Sequence, residues 1–348
     1  MLAPEKTGSK IAGVHLWWQG IGWVLAALLA AGCARPEPKA EAGSAGAQRR
    51  RVVLQSDWFP QAEHGGYYQA LARGYYAEAG LELEIWPGGP GAGIKLKVVR
   101  GDADFGMQRS DDVLVAASRG LPLVMVAATL QHDALALMVH ANDPVRTVGD
   151  LQSRVVIGNV GMAWMPYLER RFGITFEKRQ NTYGLGEFLA NPATIQQCMV
   201  TNEPFFAQRH GRPVRTLPLA EAGYDCYHVV VTRRELARAE PGMVRAFVAA
   251  SIRGWRDYLA GDPGPAHAEI LRRNPEMTRE LLEFSRTELK RGRYVEGRAG
   301  PGDAIGRLSF ARLQEQLTQL RELGILETAV PLAEVASVEF LPPVPAGH

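Results

Sequence analysis

Between residues 51 and 129 the chain repeats one arrangement: an apolar run of strand length, a break, then a helical stretch. Residues 51–54 read as a strand and 66–73 as a helix stopped at Gly74. Residues 75–79 form a further short helical turn ended by Gly80. Residues 81–86 (LELEIW) alternate with the period of two that marks a strand. After the break Pro87-Gly88-Gly89-Pro90-Gly91 come a helix at 94–100, a strand at 104–107, a helix at 111–118 and a strand at 124–129. Such alternation buries its apolar faces only if helices cover a mostly parallel sheet. The expected fold class is therefore α/β. The pattern resumes with strands at 134–139, 155–158, 177–180, 195–201 and 226–232, a helix starting at 147–151 and another at 163–172. From Arg233 onward the chain reads as helices at 234–239, 242–259, 265–273, 278–290 and 309–323. About 300 folding residues exceed one ordinary core, so two lobes are expected.

The N-terminus stands apart from this pattern. Lys6 and Lys10 precede an apolar run, densest at 21–31 (IGWVLAALLAA), that ends in Gly32-Cys33. A cationic head, an apolar middle and small residues before a break describe an export signal. The small-small-Cys ending resembles a bacterial lipoprotein processing box, which would make residues 1–32 a removable signal and Cys33 a lipidated N-terminus. The alternative is an uncleaved membrane-spanning anchor, because the apolar stretch approaches the ~20 residues a span needs. Both readings hold the folded part outside the cytoplasm. Residues 33–50 form a tether, since 34–48 (ARPEPKAEAGSAGAQ) carry no large apolar side chain.

Charge and cysteines narrow the function classes. The 39 basic and 37 acidic residues nearly balance, and removing Glu5, Lys6 and Lys10 with the signal leaves a formal +1. That is no nucleic-acid footprint. Cys198 and Cys226 could pair in an oxidising compartment or sit as two small buried residues. No metal-ligand spacing such as CxxC or HExxH occurs, and no metal or cofactor is expected.

The order of the segments carries a resemblance. A strand, then DWFP and EHGGYY (57–60, 63–68), ARGYYAEAGLELEI (72–85), GGPGAG (88–93), GDADFGMQRSDDVL (101–114) and GLPLVMVAATLQ (120–131) resemble the solute-binding proteins of ABC importers. The likeness is to the group that binds thiamine-pyrimidine precursors, nitrate, taurine and alkanesulfonates. TVGDLQSRVVIG (147–158) resembles that group's opening of the second lobe, and VTNEPFFAQRHG (200–211) its later segment. The resemblance spans residues 51–260 and implies a periplasmic binding protein type 2 architecture. Two Rossmann-like lobes, residues 51–136 plus 230–345 and residues 137–229, would be joined by two crossover strands and would grip ligand between them.

Ligands of open α/β sheets sit beyond the carboxyl ends of strands, and the unusual chemistry of this chain follows its strands. After the first come Asp57, Trp58, Phe59, Glu63, His64, Tyr67 and Tyr68. Trp58 and Tyr68 can stack on a ligand ring, while Glu63 and His64 can read ring nitrogens or an amino group. Phe59 is expected to cap the core. Gly89 lies in a loop that either offers backbone donors or simply turns. Ser110 and Asp111 begin a helix, where Ser is usually a cap; the resemblance implies that the same cap faces the cleft. Gln131 follows the fourth strand. Met162 and Trp164 open a helix of the second lobe, and Asn202 with Glu203 follow its later strand; Glu203 either faces Glu63 or is a surface charge before Pro204.

Ligand sign follows from these loops. They hold Asp57, Glu63, Asp111 and Glu203 against Arg109 and His64, a balance that suits a heteroaromatic base better than a free oxyanion. The expected function is an extracytoplasmic, lipid-anchored, monomeric receptor that delivers a thiamine pyrimidine precursor to an ABC permease by hinge closure. A nitrate, taurine or alkanesulfonate receptor is the alternative of the same class. A sensor that binds the same ligand, and a pyrimidine-synthesising enzyme of the same fold, are the others; the enzyme is set aside because the chain carries an export signal.

Overall fold

A computed structural model describes residues 49–298 and 304–343; Cys33 and the segment before it lie outside the described residues. Ten strands form two five-stranded sheets. The first contains β1 (Arg50–Gln55), β2 (Leu81–Trp86), β3 (Phe105–Arg109) and β4 (Leu123–Leu130). The second contains β5 (Leu135–His140), β6 (Val155–Gly158), β7 (Glu177–Gln180), β8 (Ile195–Met199) and β9 (Val214–Pro218), after which β10 (His228–Arg233) returns to the first. Their orders are β2-β1-β3-β10-β4 and β7-β6-β8-β5-β9.

The sheets are mixed rather than mostly parallel. β1, β2 and β3 pair in parallel, as do β6, β7 and β8, but β10 runs antiparallel to both β3 and β4, and β5 antiparallel to both β8 and β9. The reason is topological. β5 and β10 each enter a sheet directly from the other one, with no helical crossover to turn the chain round. β9 and the helices Gly186–Ala190 and Glu203–Arg209 lie where no element was expected. They are short, and β9 is half-buried along its whole length, so it shows no alternation.

Side-chain alternation decides which face each residue serves. In β10, Val230 packs into one apolar cluster with Phe105, Met107, Phe247 and Trp255, while Val229 and Val231 point into the other with Leu313, Leu317 and Trp164. Edge strands are blunted as the physics of unpaired backbone requires. All four residues of β7 (EKRQ) are exposed and three are charged, and β2 turns Glu82 and Glu84 outward. At the opposite edge β4 is buried throughout, and backbone bridges to Gly306 and Ala336 partly cover it.

The C-terminal helices pack around the first sheet and its helices. Helix Pro241–Ala260 lies on helix Gly65–Ala72, and the contact is close because Gly65 and Gly66 have no side chain. A Cβ there would sit 2.3 Å from the Tyr258 ring and 2.2 Å from the Trp255 ring. The glycine pair therefore serves helix packing. Among the described residues no helix is long and apolar enough to cross a membrane.

Candidate functional site

The parallel strands end, and the antiparallel strands begin, on one cavity of about 300 Å³. From the first sheet come Asp57, Trp58, Gln61, Glu63 and His64 after β1, Met107 and Arg109 in β3, Thr129 in β4 and His228 at the start of β10. From the second come Leu135 at the start of β5, Asn159 and Met162 after β6, Asn181 and Tyr183 after β7, Gln197, Cys198 and Met199 in β8, and Asn202 with Glu203 beyond it. The rule that ligands gather at the carboxyl ends of parallel strands thus extends to the amino ends of the antiparallel ones.

A buried charge network builds the first wall. His64 Nε2 shares a 2.8 Å hydrogen bond with Asp57 Oδ1, and His228 Nδ1 lies 3.8 Å from the other Asp57 oxygen. His228 Nε2 also reaches Asp133 at 3.3 Å. Arg109 donates to Asp133 at 2.5 Å and to Asp111 at 3.2 Å. Burial works to raise both the Asp57 and Asp133 carboxyls. It is outweighed at Asp57 by the His64 bond and the nearby His228, and at Asp133 by the charge of Arg109 and the His228 bond, so both sit at about 2.

The cleft is bridged by a second acidic feature. Glu63 comes from the 3-10 turn Ala62–His64 and accepts a hydrogen bond from the Thr201 hydroxyl, beyond β8 of the other sheet. Burial raises its pKa, and the Thr201 bond only partly offsets this. Glu203 accepts from the Met199 backbone N–H at 2.8 Å. Burial, with a contribution from the charge of Glu63, lifts it to about 7. Both protonation states are therefore within reach near neutral pH; protonated, Glu203 can donate to a ring nitrogen, and ionised it can accept from an amino group. The Trp58 and Tyr183 rings, which line the same cavity, meet across the cleft at 5.1 Å.

Six of the twelve residues expected at the site line the cavity: Trp58, Glu63, His64, Met162, Asn202 and Glu203. The structure places the other six elsewhere. Tyr68 is fully buried in the core between helices, its hydroxyl without a partner. Gly89 gives its N–H to the Asp57 carbonyl at 3.2 Å and lies under the Phe59 ring, so this loop's donors hold the Trp58 loop rather than a ligand. Ser110 bridges the C-terminal helix Phe310–Glu322 and the return strand, donating to Gln316 at 2.6 Å and accepting from Tyr227 N–H at 3.0 Å. Asp111 stands behind Arg109 and accepts from the Tyr224 hydroxyl at 2.6 Å. Gln131 donates to the Arg307 carbonyl at 2.9 Å. Trp164 is buried in the second lobe against Phe176. Phe59, expected in the core, is instead 48% exposed and braces Trp58 edge-on at 5.7 Å.

Several lining residues were not singled out. Asn159, Asn181 and Tyr183 follow β6 and β7 directly, so the strand-end rule could have found them. Gln197 and His228 are polar residues inside or at the mouth of apolar strands, a detectable anomaly. Cys198 and Cys226 are both free and buried, and Cys198 reaches the cavity wall. Among the described residues no group of three or more His, Cys, Asp or Glu could hold a metal ion.

Two lobes around a cleft built this way constitute the periplasmic binding protein fold. The crystal structure of the periplasmic sulfonate-binding protein SsuA from Methylobacillus flagellatus KT has the same fold, with a TM-score of 0.60 and 13% identity over 84% of this chain and 93% of that one. The NMT1/THI5-like family model matches residues 61–266, and the chain belongs to that family. Relatives include the riboflavin-binding protein RibY of Chloroflexus aurantiacus, 25% identical over 92% of this chain and 96% of that protein. The formylaminopyrimidine-binding protein of Halalkalibacterium halodurans is 33% identical over 29% of this chain and 30% of its own length. The 4-amino-5-hydroxymethyl-2-methylpyrimidine phosphate synthase THI5 of Saccharomyces cerevisiae is 24% identical over 66% and 73% respectively.

Proposed function

We propose that this protein is the extracytoplasmic solute receptor of an ABC importer and that its solute is a small nitrogen heteroaromatic of the aminopyrimidine type. One observation carries this reading. Arg109, the guanidinium on the cavity wall, is already bridged to Asp111 and Asp133, while Glu63 and Glu203 and the amides of Asn159, Asn181, Gln197 and Asn202 line the same cavity as Trp58 and Tyr183. Carboxyl and amide groups under aromatic faces suit a flat ring bearing N and NH₂. A free oxyanion fits this lining poorly without a cation that is not already neutralised, although backbone amides alone can hold one. The formylaminopyrimidine-binding relative supports the ligand class.

The proposal extends to the division of the chain. Residues 51–136 with 230–345 form one lobe and 137–229 the other, hinged at the two connections between the sheets. Closing would follow from the ligand's higher affinity for the closed state. An N-terminal signal and Cys33 lipidation would anchor the receptor beside its permease. The role is binding rather than synthesis, supported by a binding-protein relative that matches 92% of this chain.

That same relative favours a second reading, a flavin. A cavity of about 300 Å³ lies at the small end of ligand pockets, which favours a single ring over a flavin in the state described. The test is calorimetry and thermal shift on the purified full chain in detergent. Aminopyrimidines should bind and raise Tm, and Trp58→Ala should weaken binding at least tenfold. A shift with riboflavin alone would establish the flavin reading. A shift only with taurine, nitrate or an alkanesulfonate would refute both.

A further inference from the structure

We infer that Tyr183 is the exchange gate of the cavity, latching against Trp58 so that solute enters and leaves only when the two rings part. The inference rests on the reading of this cavity as the solute site, and it concerns a residue that the strand-end loops of the first lobe do not contain.

Three observations converge on Tyr183. First, its backbone occupies the left-handed region, with φ of +63°. A bulky L-residue is unfavourable there, whereas the glycine that follows at Gly184 would adopt it without strain. Such a conformation persists only where its surroundings over-determine it, and it marks places where geometry matters more than stability. Secondly, the surroundings do over-determine it. The Asn181 side-chain oxygen accepts the Tyr183 N–H at 2.7 Å, closing an Asx turn, and Gln196 Nε2 donates to the Gly184 carbonyl at 3.0 Å. Gln196 belongs to β8, so the turn is tied to the sheet and not left to loop motion. Thirdly, the ring so placed is 51% exposed and also lines the cavity. It spans the boundary between solvent and site, and its partner there is Trp58, 5.1 Å away at an angle of 50°.

The two halves of the latch are supported unequally. Trp58 is braced by Phe59 and by two backbone bonds, from Gly88 N–H to its own carbonyl at 2.9 Å and from Gly89 N–H to Asp57 at 3.2 Å. Among the described residues Tyr183 meets no ring other than Trp58, and it follows β7 of the other sheet. Lobe opening therefore separates the pair by moving Tyr183 away from a fixed tryptophan. A ring contact of this kind adds to the barrier for leaving, which appears in the dissociation rate more than in the association rate.

The test uses the full chain in detergent with 4-amino-5-hydroxymethyl-2-methylpyrimidine as probe. Stopped-flow dissociation from Tyr183→Ala should be roughly three- to tenfold faster than from the native chain, and Tyr183→Phe should match the native rate. An unchanged rate in Tyr183→Ala, or an equally fast Tyr183→Phe, overturns the gate. A second arm needs no ligand: acrylamide quenching of tryptophan fluorescence should rise in Tyr183→Ala, and the rise should vanish when Trp58→Phe is added. No rise means that the rings do not cover the site in solution and refutes the latch. If the native chain binds no aminopyrimidine, the ligand class fails, while the quenching arm still decides whether Tyr183 covers Trp58.

Discussion

The two walls of the cavity are built on different principles. The wall from the first sheet is ionic and internally bonded: Asp57, His64, His228 and Arg109 are linked to one another or to the acids behind them. The wall from the second sheet is largely neutral, made of Asn159, Asn181, Gln197, Asn202, Met162 and Met199, with Glu203 as its carboxyl. Buried charges are costly unless paired, so the first wall must be pre-organised before any ligand arrives. Amides and methionines lose less on desolvation and adapt their contacts. The first wall is therefore the rigid one, and the second is the more adaptable.

That contrast is open to challenge, beginning with the largest effect. Removing Arg109 takes the guanidinium from two buried carboxylates, leaving Asp111 with the Tyr224 hydroxyl and Asp133 with His228. Arg109→Ala should destabilise the protein by about 3–5 kcal/mol in urea unfolding; a loss below about 1 kcal/mol would mean that the first wall is not held by its ion pairs. On the second wall, Glu203→Gln should leave stability nearly unchanged at pH 5. It should weaken aminopyrimidine binding by about 1.5–3 kcal/mol, measured by calorimetry. Equal affinity would remove Glu203 from ligand recognition.

pH acts with opposite sign on the Asp57 and Asp133 carboxyls and on Glu203. Asp57 and Asp133 are held at about 2, below the ordinary 3.8. Their contribution is complete above about pH 4 and is lost as pH falls toward 2. Glu203 is lifted from 4.5 to about 7, so the folded state binds its proton more tightly than the unfolded chain does. Its effect runs the other way: stability falls as pH rises from about 4.5 to 7, with a slope of at most about 1.4 kcal/mol per pH unit for one proton. Tm against pH should therefore peak in mild acid, and Glu203→Gln should flatten the decline between pH 5 and 7. A decline of undiminished slope in that variant would assign it to other groups. The smallest effect is expected at Tyr68→Phe. Because the hydroxyl is buried without a partner and away from the cavity, its loss should change stability by less than about 0.5 kcal/mol and leave affinity unaltered; a clear loss of affinity would return Tyr68 to the site.

Much of the fold was legible in the sequence because strands and helices announce themselves locally. The alternation of LELEIW marked β2 from its first to its last residue, and the apolar VVIG marked β6. β9 and the helix Glu203–Arg209 escaped because they are short and show no local period, so their existence depends on partners distant in sequence. The candidate site divides in the same way. Trp58, Glu63 and His64 stood out as polar and aromatic residues after a strand. Tyr68 shares that stretch and shows the limit of the argument: its residue type marks it as the others are marked, but helix Gly65–Ala72 packs against helices Pro241–Ala260 and Gly264–Arg273, which bury it in the core.

Local chemistry, by itself, determined the α/β class, the order of most elements and the acidic, aromatic character of the strand-end loops, since these depend on residues close together in the chain. Tertiary structure alone decided that both sheets are mixed, that Arg109 is neutralised by Asp111 and Asp133, and that Thr201 meets Glu63 and Tyr183 meets Trp58 across the cleft. Each of these joins residues from 24 to 138 positions apart, with Arg109–Asp111 the exception. No pattern confined to one segment records which of the many possible long-range partners the packed chain will bring together.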